Sequence, residues 1–324
     1  MIINNVILDV LYENIGKYIT SDVVCQRLNI SRIAVWNRIK GLKKFGYNIE
    51  SKRSVGYRLV EEGKNILIPY EIKRHLNTKT FGGYIEYYRL TSSTMDESKY
   101  LIEKGCQNGT IVISEEQTNG RGRGGKKWIS PKGDNLYVSL IYMPENISYM
   151  NAINIMFAAS IAIVEVLSDF GIENAKIKWP NDVTVNDKKI AGVLLETKSE
   201  SGILSSAVIG FGINVNLESI PKEIDQAATS MKIETGENID RTILLTNMIY
   251  YFENLISMIE EGKQSRILDI WKQYNNTLGR NVEIISDNES IKGLAKDIDD
   301  KGFLLVETKD GIKRVVTSDS LRFL

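Results

Sequence analysis

Histidine is almost missing from this chain: His75 is the only one in 324 residues. It lies ahead of the first convincing strand of the middle region, which argues against a Ser–His or Cys–His nucleophile system and for a structural histidine. Cysteine is equally scarce. Cys25 and Cys106 stand far apart without metal-ligand spacing, so no metal cage is visible and reduced, buried thiols of a cytosolic protein are expected. The N-terminus lacks the basic stretch and cleavage site of a signal peptide, and no apolar run approaches the length of a membrane span. A cytoplasmic location without membrane contact is therefore expected. Neither sign of charge is in excess, since 41 Lys plus Arg balance 41 Asp plus Glu. The balance is not local, however. Residues 1–60 hold ten basic against four acidic side chains, leaving 31 against 37 for the rest, so an electrostatic footprint for nucleic acid falls on the first segment alone. With 43% hydrophobic and 25% charged residues the composition is that of a soluble globular protein, and the length suggests roughly two to three domains.

What the chain does have is Gly120-Arg121-Gly122-Arg123-Gly124-Gly125-Lys126-Lys127-Trp128, four glycines and four cations in nine residues. Glycine permits φ > 0 and close backbone approach, while Arg and Lys at this density repel one another unless an anion sits among them. The loop suits a phosphate or a carboxylate. Gly120, Gly122 and Gly125 fit G-x-G-x-x-G, and Gly120 to Lys126 fits the start of a Walker A loop, yet Lys127 stands where a P-loop has Ser or Thr. Both motifs also open a helix whose N-terminus holds the phosphate, whereas here the turn sequence from Trp128 to Asn135 leads into the strand-like Leu136–Leu140. The loop itself would have to hold the anion; a solvated basic hairpin tip has the same composition. Without a histidine base or an activated cysteine, arginines, lysines and backbone amides suit electrostatic catalysis of phosphoryl or nucleotidyl transfer. A substrate carboxylate attacking an ATP α-phosphate needs its repulsion from the triphosphate cancelled, for which Arg121, Arg123, Lys189 and Mg²⁺ would serve together.

In the first segment, Ile2 to Tyr12 has helical apolar spacing, and Thr20 or Ser21 caps a helix over Asp22–Leu28. Ser31 caps a third helix in which Val35, Ile39 and Leu42 recur at i, i+4 and i+7. Two short strands, Ile49–Ser51 and Tyr57–Val60, joined by the basic Lys52–Gly56, complete a winged helix-turn-helix. Its third helix would enter a major groove with Arg32, Trp36, Asn37, Arg38 and Lys40, while Lys52 and Arg53 of the wing would meet phosphates. A protein-docking module is the rival reading. Glu61 to Asn65 reads as a linker.

From about Gly83, strands alternate with helices, which predicts a sheet covered by helices. The expected strands are Tyr84–Arg89, Thr110–Ser114 and Ala207–Phe211, with helices over Met95–Glu103 and Asn151–Phe170 and a hairpin of Val183–Val185 and Lys189–Glu196. Pro180 makes Lys178-Trp179-Pro180-Asn181-Asp182 an edge or a bend. Later helices are expected from Asp240 or Arg241 to Glu260 and over Ile267–Tyr274. Short glycine-punctuated strands, Val282–Ile285, Ser290–Asp297, Phe303–Val306 and Lys313–Val316, then suggest a small barrel.

Taken in order, the Gly120–Trp128 loop, Lys178-Trp179-Pro180-Asn181-Asp182, Lys189-Ile190-Ala191-Gly192 and Gly210-Phe211-Gly212-Ile213-Asn214 resemble the motifs of biotin-protein ligases. With the winged helix ahead of them, nearly the full chain resembles the bifunctional bacterial form that is also the biotin operon repressor. The resemblance implies an α+β fold: an N-terminal winged helix-turn-helix over residues 1–62, a central mixed-sheet ligase domain with helices over 63–274, and a C-terminal SH3-like small β-barrel over 275–324. It implies activation of biotin with ATP to biotinyl-5′-adenylate and transfer to one lysine of a biotin carboxyl carrier domain. ATP and Mg²⁺ are the implied cofactors, operator DNA the second partner, and a homodimer the adenylate-bound state.

By motif position, Ser93, Thr94 and Gln117 match the biotin ureido side, Arg121 and Arg123 the loop closing over adenylate and carboxylate, and Lys189 the lysine that holds that carboxylate. Trp128 matches an apolar wall and Gly192 a point of backbone contact. Asn181 and Asn214, with Lys126, fall on the nucleotide side, and Asp182 is the carboxylate beside the Mg²⁺ carried by the phosphates. Ser320-Leu321-Arg322 resembles the family's tail, which assigns Arg322 to nucleotide or carrier; Thr317-Ser318-Asp319 before it matches more loosely. Met95 departs from an Asn of some relatives, and Gly124 and Lys126 replace cations common in some members. A lipoate-type acyl-protein ligase of the same fold and a ligand-sensing transcription factor without ligase activity are the alternatives.

Overall fold

The computed structural model describes residues 2–224, 226–286, 289–316, 318 and 320–324, so Thr317 and Asp319 of the looser tail match lie outside the described residues. The chain divides into two compact units, Met1–His75 with Asp240–Ile243, and Leu76–Ile239 with Leu244–Leu324.

The first unit opens with α1 (Ile2–Glu13), α2 (Ser21–Leu28) and α3 (Arg32–Lys44). Thr20 and Ser31 are the N-caps of α2 and α3, their hydroxyls accepting from the amides of Val23 and Ala34 at 3.5 and 3.2 Å, and Asn29 in the left-handed region turns the chain between them. The wing is the antiparallel pair β1 (Ile49–Lys52) and β2 (Gly56–Leu59), with Lys52 opposite Gly56. Leu8, Leu11, Val35, Ile39, Leu42 and Leu59 close the core of this winged helix, and Ile66 joins it from the segment beyond the wing. A helix without a strong sequence signal follows, α4 (Pro69–His75). Glu71 on α4 is buried and accepts from the hydroxyls of Tyr12, at 2.9 Å, and Tyr47. Burial pushes the Tyr12 hydroxyl up to about 12, so it stays a donor.

The second unit is built on a seven-stranded mixed sheet. Its strands are β3 (Ile85–Tyr88), β4 (Ile111–Ser114), β5 (Leu136–Tyr142), β6 (Ala175–Lys178), β7 (Asp182–Val185), β8 (Lys188–Glu200) and β9 (Ile203–Ile213), in the order β3-β4-β5-β9-β8-β7-β6. β3 and β4 are parallel and every other neighbouring pair antiparallel. Asn186 and Asp187, with φ of 50 and 61°, make the tight turn between β7 and β8, and Pro180 sits in the bend between the edge strand β6 and β7. β8 and β9 run well beyond the expected spans, because Ser201 and Gly202, both at positive φ, join them directly.

Helices α5 (Thr94–Glu103), α6 (Ala152–Asp169), α7 (Met231–Thr235), α8 (Arg241–Glu260) and α9 (Gln264–Tyr274) complete the helical set. Contrary to the expectation that no apolar run approaches a membrane span, Tyr149–Asp169 is long and apolar enough by composition. Its burial explains the composition: α6 is enclosed on most of its circumference, and Phe157 stacks on Trp271 of α9 at 4.8 Å between ring centres.

The last strands, β10 (Asn281–Ser286), β11 (Glu289–Ile298), β12 (Leu304–Thr308), β13 (Gly311–Val315) and β14 (Ser320–Phe323), form an antiparallel sheet in the order β13-β12-β11-β10-β14. The expected barrel is not closed, for no pairing joins β13 to β14 among the described residues. A bulge interrupts the register of β11 and β12 between Ala295 and Asp297.

Candidate functional site

β8 and β9 place Gly192 opposite Gly212, and Gly210 opposite Leu194, which leaves a floor low enough for side chains to lie on. Met95, in the first turn of α5, covers Gly210; a Cβ there would come within 2.7 Å of its sulfur. The Trp128 indole covers the other two glycines, where added Cβ atoms would come within 3.2 Å and 2.5 Å of it. Gly212→Val is therefore expected to lift Trp128 and to cost about 1–3 kcal/mol, read as a lower urea midpoint.

The glycine-arginine loop folds back on itself as a short hairpin. Trp128 donates its amide to Gly120 at 2.9 Å, Gly122 to Lys126 at 2.7 Å, and Lys126 to Arg123 at 3.1 Å. Gly124 and Gly125 at the tip have φ of 59 and 72°, a conformation that favours glycine. No helix follows; Ser130 bridges to Gln117 and the chain enters β5, in line with the exclusion of a P-loop.

Two arginines fix this hairpin at different points. Arg121 makes ion pairs with Asp96 at 2.9 Å and Glu196 at 3.2 Å, while Lys99 also meets Glu196 at 2.7 Å. Arg123 donates to Oδ1 of Asn181 at 2.9 Å and to the carbonyl of Ser318 at 3.1 Å. Under the hairpin lies a cleft of about 410 Å³ lined by Arg121, Arg123, Lys126, Leu194, Glu196 and Ser318. A second cavity of about 370 Å³, lined by Gln117, Trp128, Ser130, Pro221 and Glu223, flanks the other side.

Lys189 lies at the start of β8, its ammonium 2.7 Å from Asp182 and 5.2 Å from the centre of the Trp128 ring. Its backbone pairs with the polar segment at Ala227 and Thr229, and Asn214 donates to the Thr229 carbonyl at 3.0 Å. Asn181 is held by its donation to the Val193 carbonyl. Burial holds the Lys178 ammonium below its usual range, a shift that the Asp182 carboxylate opposes and Lys189 reinforces. A buried polar cluster adjoins the second cavity through Gln117 and Ser130: Oε1 of Gln117 accepts from the Thr94 amide at 2.8 Å and hydroxyl at 3.2 Å, Ser139 donates to Thr94 at 2.8 Å, and Gln117 donates to Ser130 at 3.0 Å. Ser93 is fully buried, and its hydroxyl has no hydrogen-bond partner among the described residues. Small polar groups at one end and cations at the other suit a ligand with a neutral polar head and an anionic tail.

Comparison with known proteins now gives this geometry a context. The model of the Biotin/lipoate A/B protein ligase family matches residues 87–214, that of the Biotin protein ligase C terminal domain residues 277–319, and an HTH domain residues 4–58. The bifunctional ligase/repressor BirA of Bacillus subtilis (strain 168) is 34% identical over 313 residues, 95% of each chain. The chain belongs to the bifunctional biotin ligase/repressor family. BirA of Escherichia coli (strain K12) is 30% identical over 92% of this chain and 90% of its own. The solved biotin protein ligase from Aquifex aeolicus in complex with biotin and ATP superposes with a TM-score of 0.66 at 28% identity, covering 75% of this chain and 100% of that one.

In this ligase/repressor family member the structure brings most of the expected residues together. Thr94 and Gln117 share hydrogen bonds, with Ser93 preceding them as a buried hydroxyl unpartnered among the described residues; Trp128 and Gly192 adjoin Lys189, and Arg123 meets Asn181 beside Asp182. Lys126 is exposed at the hairpin tip, and Asn214 faces the segment at Thr229. Arg322 stays apart: it is exposed on β14 opposite Glu283, and the tail meets the hairpin through Ser318 instead. Asp96, Glu196, Lys99 and Ser139 were not singled out by sequence. Their partners lie far along the chain, so no local spacing marks them.

On the HTH side, Trp36, Asn37 and Lys40 share the exposed face of α3, with the Lys40 ammonium over the Trp36 ring. Arg38 is half-buried, and Arg32 is held by Asp22 through two hydrogen bonds of 2.8 Å. Ile33, absent from the sequence-based set, is 73% exposed on the same face. Lys52 and Arg53 are exposed on the wing, whereas Arg58 is bound to Glu50.

Proposed function

We propose that this chain joins the biotin carboxylate to the ATP α-phosphate, releasing pyrophosphate, and then passes the biotinyl group to one lysine of a biotin carboxyl carrier domain, releasing AMP. The observation that carries the reading is the placement of Lys189, Asp182 and the Arg123–Asn181 pair next to a basic hairpin over a cleft, with Gln117, bonded to Thr94, lining the second cavity beside Trp128. The carboxylate oxygen is itself the nucleophile, so no protein base is needed. Lys189 and Arg123 offset the repulsion between the two anions, and Lys189 holds the carboxylate oxygen in line. Ser93, Thr94 and Gln117 orient the ureido ring, while Trp128 walls the apolar part and Gly192 leaves room beside it. Lys126 and Asn214 flank the nucleotide. Among the described residues no group of three or more His, Cys, Asp or Glu could hold a metal by itself. Asp182 as a single carboxylate suits a Mg²⁺ held mainly by ATP phosphates, where it would screen charge at the reacting centre.

The division of labour is that residues 1–62 read DNA, 63–274 bind ligands and react, and 275–324 support the hairpin. With adenylate bound the chain acts as a cytoplasmic, homodimeric repressor of biotin genes. The dimer reading is supported by β8: β7 pairs with it only from Lys188 to Gly192, so beyond Leu194 one edge has no neighbouring strand among the described residues. A carrier domain incubated with the chain, biotin and ATP is expected to gain the mass of one biotinyl group. An unmodified carrier counts against the ligase reading. For the DNA role, the Lys52→Ala, Arg53→Ala double variant is expected to reduce the slope of log K against log salt by about two per protomer, roughly four for the bound dimer. Titration of the promoter region of the chain's own gene at several salt concentrations checks this, and an unchanged slope removes the wing from the interface.

A further inference from the structure

We infer that Ile33 is a base-reading residue, meeting the 5-methyl group of a thymine in the major groove of each operator half-site. The inference deepens the DNA role proposed above and rests on it. Ile33 is the second residue of α3, and the first turn of a recognition helix is the part that reaches base edges. Its side chain is 73% exposed, and Trp36, at i+3, is 52% exposed. With Asn37 and Lys40, at i+4 and i+7, they form one open stripe along the helix, while Val35, Ile39 and Leu42 turn to the core. A lone apolar side chain at a surface is ordinary. Here two of them are neighbours on the face that the packed helix leaves open.

The surroundings select DNA, and the methyl group within it. Residues 1–60 carry ten basic against four acidic side chains, Lys40 continues the stripe with its ammonium 5.2 Å from the centre of the Trp36 ring, and Lys52 and Arg53 are exposed on the wing. A duplex matches that charge. The first turn also holds Arg32, a residue type suited to reading guanine, but Asp22 on α2 takes its guanidinium through two hydrogen bonds of 2.8 Å. What the turn offers a base is therefore the branched hydrocarbon of Ile33, which neither gives nor takes a hydrogen bond. A polar base edge against it would lose water and gain no partner. Of the four bases only thymine presents a methyl group in the major groove.

The test uses the full chain with biotin and ATP present. Binding sites are selected from random duplex DNA, and each thymine of the selected site is then replaced in turn by deoxyuridine, which pairs in the same way but lacks the methyl group. One thymine per half-site is expected to respond. Its replacement should weaken binding about fourfold, the loss of one buried methyl, and about fifteenfold when made in both half-sites. Ile33→Ala, at an exposed helical position that accepts alanine, should bind the thymine site more weakly and no longer distinguish it from the uracil version, with the salt slope unchanged. Ile33→Val should keep the discrimination. Coupling between one side chain and one methyl group is a signature that a role in folding or in phosphate contact would not give. Discrimination that survives in Ile33→Ala, or a site at which no thymine responds, overturns the assignment while the DNA role stands. Absence of salt-dependent binding to any duplex sinks the DNA role and the assignment with it, in favour of a protein-docking module.

Discussion

Lys189→Ala is expected to lower the rate of biotin-dependent adenylate formation by about 10²–10³-fold, the effect of removing one well-placed charged donor from a developing anion. The side chain is mostly enclosed but not at the centre of the core; its contacts are Asp182 and the face of Trp128. The folded chain should therefore survive the change, and rapid-quench measurement of adenylate in a single turnover reads the chemical step directly. One side effect needs a control. Removing Lys189 takes the ion-pair partner from Asp182, leaving only the more distant charge of Lys178, next to where an ATP phosphate would lie, and that alone would weaken nucleotide binding. Lys189→Ala with Asp182→Asn separates the two causes. The rate stays low in the double variant if Lys189 acts on the carboxylate, and it recovers if the deficit came only from an unpaired Asp182.

The largest expected loss of stability comes from Trp179→Ala, about 3–5 kcal/mol for a large buried aromatic side chain. Trp179 belongs to the same motif as Asn181 and Asp182 but is only 1% exposed. Its indole donates to the Gly302 carbonyl at 3.2 Å, and its amide receives support from the Thr277 hydroxyl at 2.9 Å. It therefore ties the bend between β6 and β7 to the turn between β11 and β12 through its indole and to the segment ahead of β10 through its amide. Alanine keeps the amide contact, opens a cavity and leaves a buried carbonyl without its partner, whereas Trp179→Phe loses only part of the volume and should cost less. Urea unfolding gives the comparison: a large drop in midpoint for alanine and a smaller one for phenylalanine. Equal, small drops would show that the site collapses around the change.

Much of this architecture is local in origin, and that part is legible in the chain. Thr20 and Ser31 cap helices because their hydroxyls reach the next turn, and Asn186-Asp187 turns a hairpin because both adopt positive φ. The glycine-arginine loop could be separated from a P-loop because Lys127 and the following turn residues are incompatible with a phosphate-binding helix. Other features depend on distant partners. The extent of β8 and β9 follows from their pairing around Ser201-Gly202, where both residues adopt positive φ. α6 is apolar on most of its circumference because other elements enclose it, and composition alone cannot distinguish that from a lipid environment. The carboxylates on Arg121 come from a helix and a strand on either side of it in sequence, and Ile33 is exposed beside Trp36 on a helix whose Val35, Ile39 and Leu42 point inward. Motif order marked which residues cluster; the partners that each charge takes are a property of the fold.

ATP–pyrophosphate exchange on the wild-type chain, with biotin, lipoate or no acid, tests the central claim most directly. The account predicts exchange that requires biotin and is absent with lipoate or without acid. Absence of exchange with biotin would contradict it, and exchange with lipoate alone would keep the carboxylate-activating chemistry while assigning it a different acid.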